Sequence, residues 1–176
     1  MVADQGFPPK RPSCDKIGKA FRLDDATGRY IEYIKSTIPR GMDLEGLKVV
    51  VDSANGAAYK ITSWLLRELG AEVVSINDKP DGTNINNNCG SLHLNALSKA
   101  VKAAGAHVGV AHDGDADRTL FVDDKGNAVD GDIVIGIIAA EMKSENKLNG
   151  KCVVSTVMSN LGLEKYLEDK GIKRIR

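Results

Sequence analysis

Three carboxylates stand at alternate positions in Asp113-Gly114-Asp115-Ala116-Asp117, and Arg118 follows at once. Two like charges about 5 Å apart cost roughly 3 kcal/mol at an effective dielectric near 20. No fold requires that repulsion, so a bound cation is the natural reason to keep it. Oxygen-only donors select Mg²⁺, Ca²⁺ or Mn²⁺ over Zn²⁺. In an extended strand residues i and i+2 lie ~6.5–7 Å apart, whereas oxygens around Mg²⁺ sit ~2.1 Å from the ion. The backbone is therefore expected to curl, with Gly114 and Ala116 leaving room for it. A solvated acidic loop is the plainer alternative. An EF-hand loop shares the D-x-D-x-D start, but it requires Gly at its sixth position and Glu at its twelfth. Those positions hold Arg118 and Asp124, which removes that reading. Arg118 can offset the acidic charge, or point its planar fork at a phosphate beside the metal. A cation with an arginine is the equipment of phosphoryl transfer, where catalysis is mostly positioning and charge neutralisation.

The elements that must carry this loop are legible around it. Ala106–His112 is apolar and short and reads as a buried strand, so the triad falls at a strand's carboxyl end, where open α/β sheets bind ligands. Upstream, Leu47–Asp52 reads as a strand, Ser53–Leu69 as a turn leading into a helix stopped by Gly70, and Ala71–Ile76 as a second strand. That is a β-α-β unit with a right-handed crossover. A helix is expected over Asp24–Ser36, another from a Ser91 cap to Ala104, and a hairpin over Thr119–Val129 with its turn at Asp124–Asn127. Beyond it, Ile133–Lys143 reads as a helix, Cys152–Thr156 as a strand, Ser159 as a cap, Leu161–Lys170 as a helix and Ile172 onward as a strand. The segments Val49–Ser75 and Val153–Arg176 share one plan, which reads as an internal repeat of an α/β domain. The second copy holds one β-α and a strand, too little to cover both faces of its sheet. The chain accordingly looks like an excerpt from something longer.

Composition narrows the function classes. Of 176 residues, 42% are hydrophobic and 27% charged, and Lys+Arg and Asp+Glu both number 24. Zero net charge and few aromatics argue against a nucleic-acid surface or a polybasic membrane patch. The three cysteines, Cys14, Cys89 and Cys152, form no metal or disulfide spacing, which fits a reducing compartment. No secretory h-region opens the sequence, and the longest apolar run, Ile133–Ala140, is eight residues. A cytoplasmic location is expected. No G-x-x-x-x-G-K-[ST] or G-x-G-x-x-G occurs. Ser53-Ala54-Asn55-Gly56 could seat a phosphate at a helix start, although capping explains it as well. His112 could be a base or a structural strand end. His93 and His107 have no partner at motif spacing, and Asn87–Ser91 could shape a ligand loop or simply turn the chain.

The loop Asp113–Arg118 resembles the metal-binding loop of the α-D-phosphohexomutases. The likeness continues through Val50–Ala58, Leu69–Val73, Asn84–Ser91, Gly109–Thr119, Asp123 and Asp130-Gly131-Asp132, and it covers residues ~17–176. These flanks resemble most the bacterial branch acting on glucosamine phosphates. The resemblance implies a three-layer α/β/α domain with a mixed, mainly parallel sheet, followed by the start of a second copy. It implies a linker over 1–20 from a missing first domain, a second domain over 21–130, and the opening of a third over 131–176. It further implies an isomerase that interconverts glucosamine 6-phosphate and glucosamine 1-phosphate through a phosphoserine and a 1,6-bisphosphate, serving UDP-N-acetylglucosamine and cell-wall precursor synthesis. Asp113, Asp115 and Asp117 would hold Mg²⁺, weakly or not at all in this excerpt, and Arg118 would contact the phosphoserine. The partners implied are the phosphosugar and domains 1, 3 and 4, with no nucleic acid and no membrane. The family's Thr-Gly-x-Ser-Ser-type serine loop, its sugar loop and its phosphate loop do not occur here, so this chain alone is expected to be inactive. A phosphomannomutase or phosphoglucomutase, a stand-alone divalent-cation module and a non-catalytic α/β interaction domain remain alternatives.

Overall fold

A computed structural model describes residue 13 and residues 16–176. The prolines and Cys14 of the expected 1–20 linker lie outside the described residues. The chain runs α1 (Ala26–Ser36), β1 (Lys48–Asp52), α2 (Ile61–Glu68), β2 (Glu72–Ile76), α3 (Asn95–Ala104), β3 (Val108–His112), β4 (Thr119–Asp123) and β5 (Ala128–Val129). Then follow α4 (Gly131–Ser144), β6 (Cys152–Val154), α5 (Leu161–Asp169) and β7 (Lys173–Ile175).

Five strands form one sheet in the order β2-β1-β3-β4-β5. β1 pairs parallel with both β2 and β3, whereas β4 and β5 continue the sheet antiparallel. β1 has only apolar side chains between Lys48 and Asp52 because helices cover both of its faces. On one face Val50, Ala111 and Val122 pack with Leu97 and Val101 of α3. On the other, Val49 and Val51 meet Leu66 of α2, with Val73, Val108 and Val110 beside them. Burying a side chain the size of Leu97 stabilises by ~1.5–3 kcal/mol, and Leu97 is wholly buried. This is the three-layer mixed sheet the sequence implies. β6 and β7 pair parallel in a separate two-stranded sheet, with Leu163, Leu167, Ile172 and Ala139 as their core. The β-α-β plan thus occurs twice. No described helix is long and apolar enough to cross a membrane.

Three local expectations are corrected. α2 starts at Ile61, because residues 53–60 are a turn segment docked on other loops. Ser91 caps nothing: its N–H donates to the His112 carbonyl, and α3 begins four residues later, at Asn95. The α5 cap is Asn160, not Ser159, since the Asn160 side chain accepts from the Leu163 N–H at 2.9 Å. The stop at Gly105 is as expected, with φ at +58°.

Candidate metal centre

Three loops meet at the carboxyl ends of the parallel strands: 53–60 after β1, 77–94 after β2, and 113–118 after β3. The last joins β3 to β4, and the antiparallel pair His112↔Thr119 closes its base. It curls as the carboxylate spacing requires. The left-handed residue is Ala116, at φ +62°, a conformation that costs an alanine ~1–2 kcal/mol. Gly114 serves a different need from the expected curl. A Cβ there would lie 2.7 Å from Asn86 Nδ2 and from Ile85 Cδ1, so a larger residue would have to displace those two side-chain ends.

The curl brings one oxygen from each of Asp113, Asp115 and Asp117 within 4.8 Å of the others. Ligands on a cation with ~2.1 Å bonds stand ~3–4.2 Å apart, a small closure for two exposed side chains. An all-oxygen donor set with two solvent-facing carboxylates fits a hard cation that keeps some of its water. Asp113 is the fixed member, 2% exposed, and the other two are exposed.

Arg118 lies on Asp113. Its Nε and Nη2 donate to Asp113 Oδ2 at 3.2 and 3.0 Å, and its backbone N–H donates to Oδ1 at 3.0 Å. Nε also stands 3.5 Å from Asp117 Oδ1, and the Arg118 side chain stays 62% exposed. Burial opposes the charge on Asp113, but the Arg118 amide, the Asp115 side chain and the guanidinium outweigh it and hold the Asp113 pKa at about 2. Asp115 moves the other way, raised by its contact with Asp113 and by the charge of Asp117. The loop thus has one anchor held ionised well below the usual carboxylate range and a neighbour whose charge the others resist. A cation reverses that resistance.

His112 is committed elsewhere. Its Nε2 meets Thr62 Oγ1 and its Nδ1 meets Thr119 Oγ1, each at 3.0 Å, and burial pushes its pKa below the ordinary value. It pins α2 to β4, which favours the structural reading. His107 accepts the Lys48 N–H through Nδ1 at 2.9 Å. Residues 53–56 cradle no phosphate: Asn55 N–H donates to Asn77 O at 2.7 Å and Gly56 N–H to Ser53 O at 2.8 Å. The Asn87–Ser91 stretch turns the chain, with Cys89 buried and Gly90 at φ +74°.

Asp52 is the residue that sequence reasoning missed. It is wholly buried, and it joins two loops through backbone amides, Ala54 N–H to Oδ1 at 2.9 Å and Gly90 N–H to Oδ2 at 3.0 Å. An acid closing an otherwise apolar strand was the available signal.

Residues 28–126 match the family profile "Phosphoglucomutase/phosphomannomutase, alpha/beta/alpha domain II", and residues 130–176 match the corresponding domain III profile. The whole chain is 60% identical to a phosphoglucosamine mutase of Thermodesulfovibrio yellowstonii and spans 39% of that protein's length. It is 55% identical to one from Syntrophotalea carbinolica, over 92% of this chain and 35% of the relative. A crystal structure of a phosphoglucomutase/phosphomannomutase family protein from Burkholderia thailandensis superposes with a TM-score of 0.71 at 28% identity, covering 85% of this chain and 32% of that one.

Proposed function

This chain belongs to the phosphoglucomutase/phosphomannomutase family, and from that premise we propose that Asp113–Arg118 is the cation-holding loop of a phosphosugar mutase acting on glucosamine phosphates. The observation that carries the reading is the convergence of three carboxylates at the carboxyl end of β3, in a chain 60% identical to a phosphoglucosamine mutase. Residues 21–130 would form the second domain of that enzyme, 131–176 the opening of its third, and 1–20 the linker before them.

Asp113, Asp115 and Asp117 would hold Mg²⁺, which supplies charge neutralisation on a transferring phosphoryl group when bound. Asp113 is the rigid post of the site, kept ionised by Arg118. Asp115 and Asp117, exposed on the same curl, can rotate to complete the donor set. Arg118 uses Nε and Nη2 on Asp113, which leaves its Nη1 edge to donate to a phosphoryl oxygen brought alongside. Arg118 would in this way align the phosphoryl group while keeping its hold on the loop. The phosphorylated serine and the sugar-recognising residues belong to segments that these 176 residues do not contain.

The test is turnover of glucosamine 6-phosphate to glucosamine 1-phosphate, primed with the 1,6-bisphosphate and Mg²⁺, by the longer protein that includes this segment. Mannose and glucose phosphates are run beside it. Preference for the amino sugar is expected, and Asp115→Asn should remove most of the activity. A preference for mannose or glucose phosphate would overturn the substrate, and full activity of Asp115→Asn would overturn the metal loop. The 176-residue chain alone should form no product above background.

A further inference from the structure

The metal loop is short and exposed at its tip, yet its backbone is enclosed from two sides. Ala57 N–H, after β1, donates to the Gly114 carbonyl at 2.8 Å. A Cβ on Gly56 would overlap that same carbonyl oxygen. From the other side the side-chain ends of Ile85 and Asn86, after β2, fill the space that a Cβ on Gly114 would take. These two walls are fastened to each other. Asn86 N–H donates to Ala54 O at 2.9 Å, and Gly90 is wedged so closely that a Cβ there would stand 2.5 Å from His112 O and 2.6 Å from Ala54 Cβ. Two side chains join these walls: Asn55, which accepts the Lys79 N–H at 3.1 Å, and the deeper Asp52, through its separate oxygens on Ala54 and Gly90. Among the described residues, no lysine or arginine forms an ion pair with it. A buried carboxylate met only by amides is expensive to keep, and its distinctive property is two acceptors at a fixed separation.

We infer that Asp52 is a positioning residue for cation binding: it closes the 53–57 and 85–90 loops into a clamp that fixes Gly114, and with it the spacing of Asp113 and Asp115. The inference rests on the metal reading above for its ligand, but the clamp itself is independent of it. Asp52→Asn keeps the shape and one acceptor, but turns an NH₂ toward one of the two amides. Asp52→Ala loses both acceptors.

The experiment uses the 176-residue chain, Mn²⁺ as the spectroscopic probe by electron paramagnetic resonance titration, and amide hydrogen exchange. Asp52→Asn should weaken Mn²⁺ about tenfold and Asp52→Ala more, in the range of effects produced by residues that orient metal ligands without touching the ion. Exchange of the Ala57 and Arg118 amides should speed up in both. Leu167→Ala, which damages the distant second core, should lower global stability and leave the Mn²⁺ affinity and those two amides unchanged. Unchanged Mn²⁺ affinity and loop exchange in Asp52→Asn overturn the inference. A wild-type chain that binds no Mn²⁺ is within the expectation for this excerpt, so exchange alone then decides the clamp, and the metal reading is decided separately by Asp115→Asn in the longer protein. Should the variants fail to fold, wild-type exchange decides it: the Ala54, Gly90, Ala57 and Arg118 amides should open with one common free energy, and four independent values overturn the clamp.

Discussion

The two β-α-β units, β1-α2-β2 and β6-α5-β7, follow one plan and differ in what surrounds them. β1 has neighbours on both edges and helices on both faces, so Val50 and Val51 are fully enclosed. Among the described residues β6 pairs only with β7, and its Val154 is 75% exposed. The loops after the two leading strands are fastened by opposite charges. In the first unit, the buried acid Asp52 gathers backbone amides. In the second, Arg174, 5% exposed, donates to Ser155 Oγ at 2.7 Å, Glu164 Oε2 at 2.7 Å and the carbonyls of Thr156 and Ser159. Arg174 spends most of its donors on the loop after β6, whereas beside the first unit the β3–β4 loop leaves two of its three carboxylates exposed. A shared plan sets where a loop emerges; the neighbouring strand β3 and the sign of the buried charge decide what that loop can hold.

The widest separation of the two units should come from cation binding. Asp115→Asn should weaken Mn²⁺ at least tenfold, because it deletes one of three ligand charges. Without metal it should melt at or slightly above the wild-type temperature, since like-charge repulsion is relieved. Arg174→Gln should leave Mn²⁺ affinity untouched and lower the melting temperature. Equal loss of Mn²⁺ binding in both would erase the functional distinction.

Core truncation sharpens the packing side of the contrast. Val51→Ala should cost about 1–3 kcal/mol, because a fully buried site leaves a cavity, and Val154→Ala should stay within ~0.5 kcal/mol. Urea denaturation of the two variants measures this. Similar losses would mean that β6 is covered in solution.

Acid tests the β3–β4 loop beside the first unit. The folded pKa of Asp113, about 2, lies below its ordinary 3.8. Its stabilising contribution is therefore present above pH 3.8 and is lost as pH falls toward about 2. Asp115, raised, acts oppositely: its contribution is present at low pH and lost as pH rises through its folded pKa. Asp113→Asn should flatten the fall in urea midpoint between pH 4 and 2, with the window set by the two values for Asp113. An unchanged slope would remove Asp113 as the anchor of the loop.

The smallest expected effect concerns backbone strain. Among the described residues, Ala54, Asn55, Asn77, Asn86, Asn88 and Ala116 have positive φ, and all lie in or beside the acidic triad's loops. The second unit has Asn146 and Lys151, ahead of β6 and away from the loop that follows it. Strain of this kind collects where surrounding structure enforces a shape. Ala116→Gly should therefore raise stability by up to ~1 kcal/mol by thermal melting. A loss of that size would show that Ala116 contributes packing that outweighs its strain.

The acidic triad, the apolar strands and the glycine stops were legible because each is written within a few residues. Both β-α-β units were legible for the same reason, since a parallel crossover is a local pattern of strand, helix and strand. The start of α2 was not. Ser53 has the residue type of a cap, but the amides that follow it are taken by Asn77 and Gly114, far along the chain. Asp52 escaped notice on the same grounds: one of its partners, Gly90, lies 38 residues away. The antiparallel seating of β4 on β3 is a sheet decision that the β4–β5 turn residues do not encode. Local chemistry named the candidate ligands, and distant backbone contacts built their seat.

The antiparallel closure of the acidic loop carries an evolutionary consequence. His112 and Thr119 are paired across its base, and two and three rungs further on Val110 faces Phe121 and Gly109 faces Val122. One residue inserted between them would slip β4 by one register and turn every following side chain to the opposite face. Val122 would then leave the α3 core, and Thr119 would lose its hydrogen bond to His112. Lineages carrying this fold can therefore substitute within the loop, trading carboxylates and with them cation preference, but insertions and deletions there should be purged.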